Sequence, residues 1–261
     1  MSQIAELVGG RRLVHEAVTE KRWVSRSGPG GYVTLFNDFL RDAGATAHLP
    51  WTLSEAGGTD ATIAFIDSAD GVIRMAHQGT GEAQSVAVTT AGLGVIPPTQ
   101  GPIFEARVKI TLNTDTYFDT SSVYEVIVGM ATVGSAVSVS AGAFDGFADN
   151  VGFRLGGGTT AANNIYMESD DGTTDNDDKD SGLDFTSGTW HVYKIDMTNI
   201  DDVRFYVDDK PANNGNTFNM EQIAATDFLE PFIMFCRTSA SGAERTHTMD
   251  LDYVNVSWKR T

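Results

Sequence analysis

GTWHVYKIDMTNIDDVRFYVDD, residues 188–209, holds two short runs in which apolar and polar side chains alternate. In the first, Tyr193, Ile195 and Met197 alternate with Val192, Lys194 and Asp196; in the second, Val203, Phe205 and Val207 alternate with Arg204, Tyr206 and Asp208. A period of two places one set of side chains on one face of a strand, so each run predicts a strand with a single buried face. Between them TNIDD supplies Asn and Asp, whose side chains bond the local backbone and favour a turn. The stretch is therefore predicted to be a β-hairpin.

Working outward, the same texture recurs. VTLFNDFL, ATIAFID, GVIRMAHQ, SVAVTT, IFEARVKITL, VYEVIVGMA, NVGFRLG, NIYMES, PFIMFCRTS and TMDLDYVNVSW are short apolar runs separated by Gly, Asn, Asp, Ser and Thr. Many short strands with no convincing long helix predict an all-β chain, an antiparallel β-sandwich of the jelly-roll kind. There are more strands than one sheet comfortably holds, so two stacked sheets are expected. Nothing divides the chain between Tyr32 and Trp258, which predicts one domain over residues 32–261 preceded by a segment of different character, residues 1–31.

That first segment is basic on an acidic protein. Arg11, Arg12, Lys21, Arg22 and Arg26 outnumber Glu6, Glu16 and Glu20, and Gly9–Gly10 interrupts any helical face. It is expected to be an extended N-terminal arm that docks on a partner, with Arg11, Arg12, Lys21, Arg22 and Arg26 meeting carboxylates and Trp23 burying apolar area. Over the whole chain of 261 residues, 18 Lys and Arg face 35 Asp and Glu, a formal charge of -17. Such a surface argues against nucleic acid and against an anionic membrane, and no apolar run is long enough to span a bilayer. The N-terminus lacks the apolar core and cleavage site of a signal peptide, so synthesis and assembly in a cytoplasm are expected. The lone Cys236, in PFIMFC, reads as a small buried hydrophobe.

Two loops stand out: residues 136–150, with Phe144 and Phe147 in a Gly/Ala setting, and residues 168–184, ESDDGTTDNDDKDSGLD. The acidic run is expected to be a solvated loop or hairpin tip. Clustered carboxylates suit calcium, yet this spacing is not that of an EF-hand.

Four stretches carry a resemblance to a known family: FNDFL at 36–40, PIFEARVKI at 102–110, the hairpin at 188–209 and MDLDYVNVSW at 249–258. In this order they resemble the concanavalin A-like lectin/glucanase superfamily, over roughly residues 35–258, and more narrowly the jelly rolls of tailed-bacteriophage structural proteins that follow a short N-terminal segment. The resemblance implies two large antiparallel sheets and, in phages, a place on the capsid or fibre surface. It also implies a structural calcium ion tied to Asp252 of DYV, with Asp250 and Asp38 as neighbours. The residues themselves name no cofactor.

A retaining glycosidase of this superfamily needs two carboxylates about 5–5.5 Å apart, which on one strand becomes E-x-D-x-x-E. The matching strand, VYEVIVGMA, offers Glu125 alone. FEARVKI is similar to the Arg and Glu strand of alginate-lyase-type jelly rolls, but their Gln-x-His and Tyr-rich motifs are missing, so Glu105 and Arg107 are expected on a solvated or partner-facing strand. His15, His48, His77, His191 and His247 are scattered, without metal-ligand spacing; no G-x-S-x-G occurs, and no catalytic residue is assigned. Sugar binding needs only rings and polar groups. Tyr124, Trp190 and His191 are the candidate glycan contacts, and Phe144, Phe147, Tyr166, Tyr193 and Tyr206 are also available, although each fits equally well in a sandwich core.

Two compatible readings result. One is a non-enzymatic viral structural protein, a capsid decoration, cement or head-fibre protein of the virion, docked on the major capsid protein or another virion protein and assembled as a trimer or dimer. The other is a carbohydrate-binding module for host glycans; a divergent hydrolase or lyase is the weakest alternative.

Overall fold

The structure is a computed structural model and describes residues 4–8, 11–15, 22–25, 31–37, 52–56, 61–67, 71–77, 84–90, 96–112, 124–132, 144, 146–156, 163–237 and 247–259. Its strands are β1 (Ile4–Val8), β2 (Arg11–His15), β3 (Arg22–Ser25), β4 (Tyr32–Asn37), β5 (Thr52–Ala56), β6 (Thr62–Asp67), β7 (Val72–Ala76), β8 (Gln84–Thr89), β9 (Ile103–Thr111), β10 (Tyr124–Ala131), β11 (Asn150–Gly156), β12 (Asn164–Asp170), β13 (Asp175–Asp184), β14 (Trp190–Asp196), β15 (Arg204–Val207), β16 (Lys210–Pro211), β17 (Glu230–Arg237) and β18 (Thr248–Lys259). Among the described residues the only helical element is a single 3-10 turn, Pro98–Gln100.

These strands make an antiparallel sandwich of two sheets. The larger has eleven strands, in the order β1-β2-β3-β4-β18-β9-β14-β15-β16, with β7 also on β18 and β6 on β7; the smaller has seven, in the order β13-β12-β11-β10-β17-β8-β5. Within residues 1–31, the described backbone forms β1, β2 and β3, which pair with one another and, through β3, with β4.

The opening hairpin forms as its alternation requires. Tyr193, Ile195, Met197, Val203, Phe205 and Val207 are buried, and β14 pairs antiparallel with β15. The next turn is tight: Asp208 and Asp209 both have positive φ, 51° and 62°, the backbone that a two-residue hairpin matching strand twist demands and that Asp tolerates. β16 is only Lys210–Pro211. Beyond it Asn213 stands in for a strand, its amide oxygen accepting from Phe205 N (2.8 Å) and its amide nitrogen donating to Val203 O (3.0 Å).

The acidic run at 168–184, expected as a solvated loop or hairpin tip, is strand for most of its length. Its tip closes because the Asp170 carboxylate accepts from Gly172 N and the Asp171 carboxylate from Thr173 N and Thr174 N, which turns the chain in four residues and leaves the rest free to pair as β12 and β13. Most of β13 is exposed along its acidic length, as suits an edge strand that must not recruit another sheet.

Between the sheets lies one continuous apolar core. Phe153 of β11 meets Tyr193 of β14 and Phe205 of β15, each with ring centroids 5.2 Å apart, and Phe205 meets Phe218 at 4.7 Å. Each fully buried aromatic contributes about 1.5–3 kcal/mol from burial, with roughly 0.5–1.5 more for edge-to-face contact. β9 shows the division of faces: Phe104, Ala106, Val108 and Ile110 are buried, whereas Ile103, Glu105, Arg107, Lys109 and Thr111 are part-exposed. Every residue of β17 is buried, because the outward face of the smaller sheet is itself partly covered.

Candidate functional site

A two-sheet sandwich offers two outward faces, and here they differ. On the smaller sheet, Phe144 lies over Ala87, Ile127, Ala131, Phe232, Met234 and Cys236 in a second apolar cluster, with Phe147 packed against it. Glycine makes this cover fit: a Cβ on Gly152 would lie 2.7 Å from Phe144 Cζ, and one on Gly129 would lie 2.4 Å from Val151 O. Phe144 and Phe147, available in sequence as sugar platforms, instead close this patch.

Beside the patch is a charged cluster that strand register builds. Glu125 sits opposite Gly156, and Glu168 opposite Gly152, so Arg154 is the diagonal neighbour of both, a separation that long side chains span. Arg154 Nε lies 3.1 Å from Glu125 Oε1, and Nη1 lies 2.9 Å from Glu168 Oε1 and 3.3 Å from Asp178 Oδ1. Burial opposes the charge on Arg154, but Glu168 and Glu125 outweigh it and raise its pKa. Cys236 stands opposite Glu125, its Sγ 3.6 Å from Glu125 Oε2. Burial, then the Glu125 charge, pushes this thiol well up, the reverse of what a nucleophile needs.

The outward face of the larger sheet is more open. Trp190 of β14 is half-buried, with the Arg107 guanidinium and the Lys109 ammonium each 4.8 Å from its ring centroid. Asp250, fully buried, accepts two bonds from Arg74 (2.7 and 2.9 Å) and pairs with Lys109 at 2.8 Å. Asp252 pairs with Arg107 at 2.5 Å. The register of β18 against β9 slips between Leu251 and Tyr253, and a bulge of this kind re-aims the intervening side chain. Next along, Tyr253 donates to Glu105 Oε1 at 2.6 Å, its own pKa raised by burial and by that carboxylate, and its ring lies 6.0 Å from that of Phe36. Lys194 lies over Tyr206, 5.5 Å from its centroid. Glu105 and Arg107 thus occupy a half-exposed strand surface, as their sequence setting implies.

The remaining expected site residues fall in different places. Tyr124 is fully buried, its ring 4.4 Å from His247 and 6.1 Å from Phe235, so it cannot contact a glycan; it faces the core because it is in phase with Val126, Val128 and Met130, the inward set of β10. His191 is committed to its hairpin: Nδ1 lies 2.7 Å from Asp208 Oδ2, and Nε2 accepts from Thr186 N at 3.2 Å, which makes Nδ1 the donor in the neutral ring. Of the calcium set, Asp38 lies outside the described residues, while Asp250 and Asp252 are answered by Arg74, Lys109 and Arg107. Oxygens facing guanidinium and ammonium groups do not fit a hard cation, and among the described residues no group of three or more His, Cys, Asp or Glu is arranged to hold one. Arg11, Arg12, Arg22 and Trp23 lie on β2 and β3; Lys21 and Arg26 lie outside the described residues. Arg154 and Glu168, which the sequence reading did not single out, become visible only once β10, β11 and β12 are aligned.

No family description matches the chain, and no curated protein matches it. Solved structures do. A protein of unknown function from Shewanella oneidensis aligns with a TM-score of 0.54 at 13% identity, over 90% of this chain and 89% of that one. The carbohydrate recognition domain of Emp46p, in a potassium-bound form, aligns with a TM-score of 0.53 at 10% identity, over 84% and 94%. The endo-1,3-beta-glucanase of Streptomyces sioyaensis aligns with a TM-score of 0.52 at 15% identity, over 89% and 98%. At such identities the likeness concerns architecture, and the chain has the concanavalin A-like lectin/glucanase fold.

Proposed function

We propose that the chain is a non-enzymatic β-sandwich that binds carbohydrate. The observation that carries this reading is the outward face of β10. Where a glucanase strand would need paired carboxylates, the alternate positions here are Glu125, Ile127, Gly129 and Ala131. The one acid among them is buried and held by Arg154, with apolar side chains alongside. A general acid and a nucleophile flanking a sugar bond have no place to stand on this strand. Sharing a fold with lectin domains and glucanases supports sugar as the ligand, as do the part-exposed rings of Trp190, Tyr206 and Tyr253 on the larger sheet. A glycan array on the full chain, followed by incubation of the bound glycans and assay for new reducing ends, tests both halves. Binding without cleavage is expected; released reducing ends would make the protein an enzyme, and an empty array would remove the sugar.

A second reading, favoured by β1–β3, places the protein on a tailed-phage particle as a capsid decoration, cement or head-fibre component, bound to the major capsid protein or another virion protein as a trimer or dimer. Among the described residues β1 pairs only with β2, so its outer edge is the kind of strand to which a partner adds another. Reconstruction of particles is the test: density for the sandwich with β1 against a partner supports it, and absence from the particle removes it.

A further inference from the structure

We propose that the outward face of the larger sheet around Trp190 recognises an acidic polysaccharide, with uronate carboxylates or sulfates meeting Arg74, Arg107, Lys109 and Lys194. The proposal rests on the carbohydrate reading and gives it a ligand class and a place.

The first argument is local charge. Across the chain 18 cations face 35 acids, yet on this face those four cations and Arg204 stand against five carboxylates, Glu105, Asp196, Asp208, Asp250 and Asp252, an even balance in place of a twofold excess of acid. The second is depth. The Asp250 side chain is 0% exposed, whereas those of its partners Arg74 and Lys109 are 38% and 22% exposed. The Asp252 side chain is 16% exposed against 40% for Arg107. In each case the carboxylate lies beneath and the cation above, so an arriving ligand meets positive charge first. Asp250 shared between two cations leaves one positive charge unneutralised. Glu105 is turned to the Tyr253 hydroxyl.

The third argument is shape. Lys109 and Trp190 are direct cross-strand partners, as are Lys194 and Tyr206, so each ring has a cation beside it. Along β14 the four residue steps from Trp190 to Lys194 span about 13 Å at strand rise, which suits a length of chain more than a single sugar. Rings supply platforms for the apolar faces of sugars, and fixed guanidinium and ammonium groups supply charge-assisted bonds to carboxylate or sulfate. On a protein carrying net negative charge, this pairing selects a ligand that keeps to the patch.

The test is calorimetric titration of the full chain with polygalacturonate, with dextran of matched length and with polyglutamate, at low and high salt. Polygalacturonate is expected to bind, to weaken with salt as exposed charges are screened, and to lose about tenfold in affinity on Lys109→Gln and again on Lys194→Gln, the effect of removing one charge-assisted bond. Melting curves of both variants check that the fold persists, and the two substitutions lie on different strands, so one unfolded variant leaves the other decisive. Dextran binding equally well, with neither substitution mattering, would overturn the acidic class while leaving carbohydrate binding intact. Polyglutamate binding as tightly as polygalacturonate would overturn recognition of sugar at this face. Failure of both glycans would overturn the proposal, and an empty array the carbohydrate reading beneath it.

Discussion

The two outward faces use charge in opposite ways. On the smaller sheet, Arg154 is enclosed with Glu125 and Glu168 beside an apolar patch under Phe144; on the larger, Arg74, Arg107 and Lys109 cover their carboxylates and keep contact with water. A buried ion cluster is costly to assemble and more costly to break, because removing one member leaves the others charged and dehydrated. A part-exposed pair loses little when broken, since water replaces the partner. The first arrangement fixes structure, and the second keeps charge available to a ligand.

Arg154→Met should give the largest effect. Leaving Glu125 and Glu168 buried together without their cation is expected to cost about 3–5 kcal/mol, read by urea denaturation; a loss under 1 kcal/mol would mean that this face is wetter than its burial implies.

Acid comes next and probes the seam where β7 meets β17. His77 is buried, its Nε2 3.1 Å from Phe235 O, and burial lowers its pKa to about 3. Gln84, Arg237 and His247 face it. Unfolded, the ring titrates near pH 6.5; between that value and about 3 the unfolded chain binds a proton that the folded chain does not. Stability therefore falls as pH drops through this window, by up to about 1.4 kcal/mol per pH unit. His77→Gln should flatten the slope, and an unchanged slope would assign it to the carboxylates alone.

Gly129→Ala should cost about 1–3 kcal/mol through overpacking, and more than Gly152→Ala, because the first Cβ meets Val151 backbone and the second only the Phe144 ring. Equal costs would mean that the Phe144 cover is as rigid as the strands. The smallest effect is expected from Asp252→Asn on the open face, under about 1 kcal/mol; a loss comparable to that of Arg154→Met would erase the contrast between the faces.

Sequence carried the fold further than the site. Alternation in the hairpin, and in β9 from Phe104 to Ile110, marks which side chains go inward whatever strand lies next door. Arg154 has no such signal: its partners are a diagonal step away on β10 and β12, and register between distant strands is not written in either alone. Tyr124 misled because β10 is apolar on both faces, so its sequence does not show that Tyr124, in phase with Val126, Val128 and Met130, belongs to the inward set. The acidic run does hold a solvated hairpin tip, but its strands were not legible because composition reports solvation, which an exposed edge strand such as β13 shares with a loop. Asp252 occupies its expected place in DYV, but the cation it meets is Arg107, contributed by β9.

β18 is the last described strand along the chain and also a central one. It pairs with β9 along one edge and with β7 and β4 along the other, Trp258 meeting Val33 and Leu251 meeting Ile73. On a ribosome adding about 5–20 residues per second, β4 would emerge roughly 10–45 s before the strand that joins it to β9. Until then the larger sheet exists as separate pieces with bare edges, and its completion waits on the synthesis of β18. The charged face is therefore completed late relative to its cations: Asp250 and Asp252 arrive with β18, long after Arg74, Arg107 and Lys109.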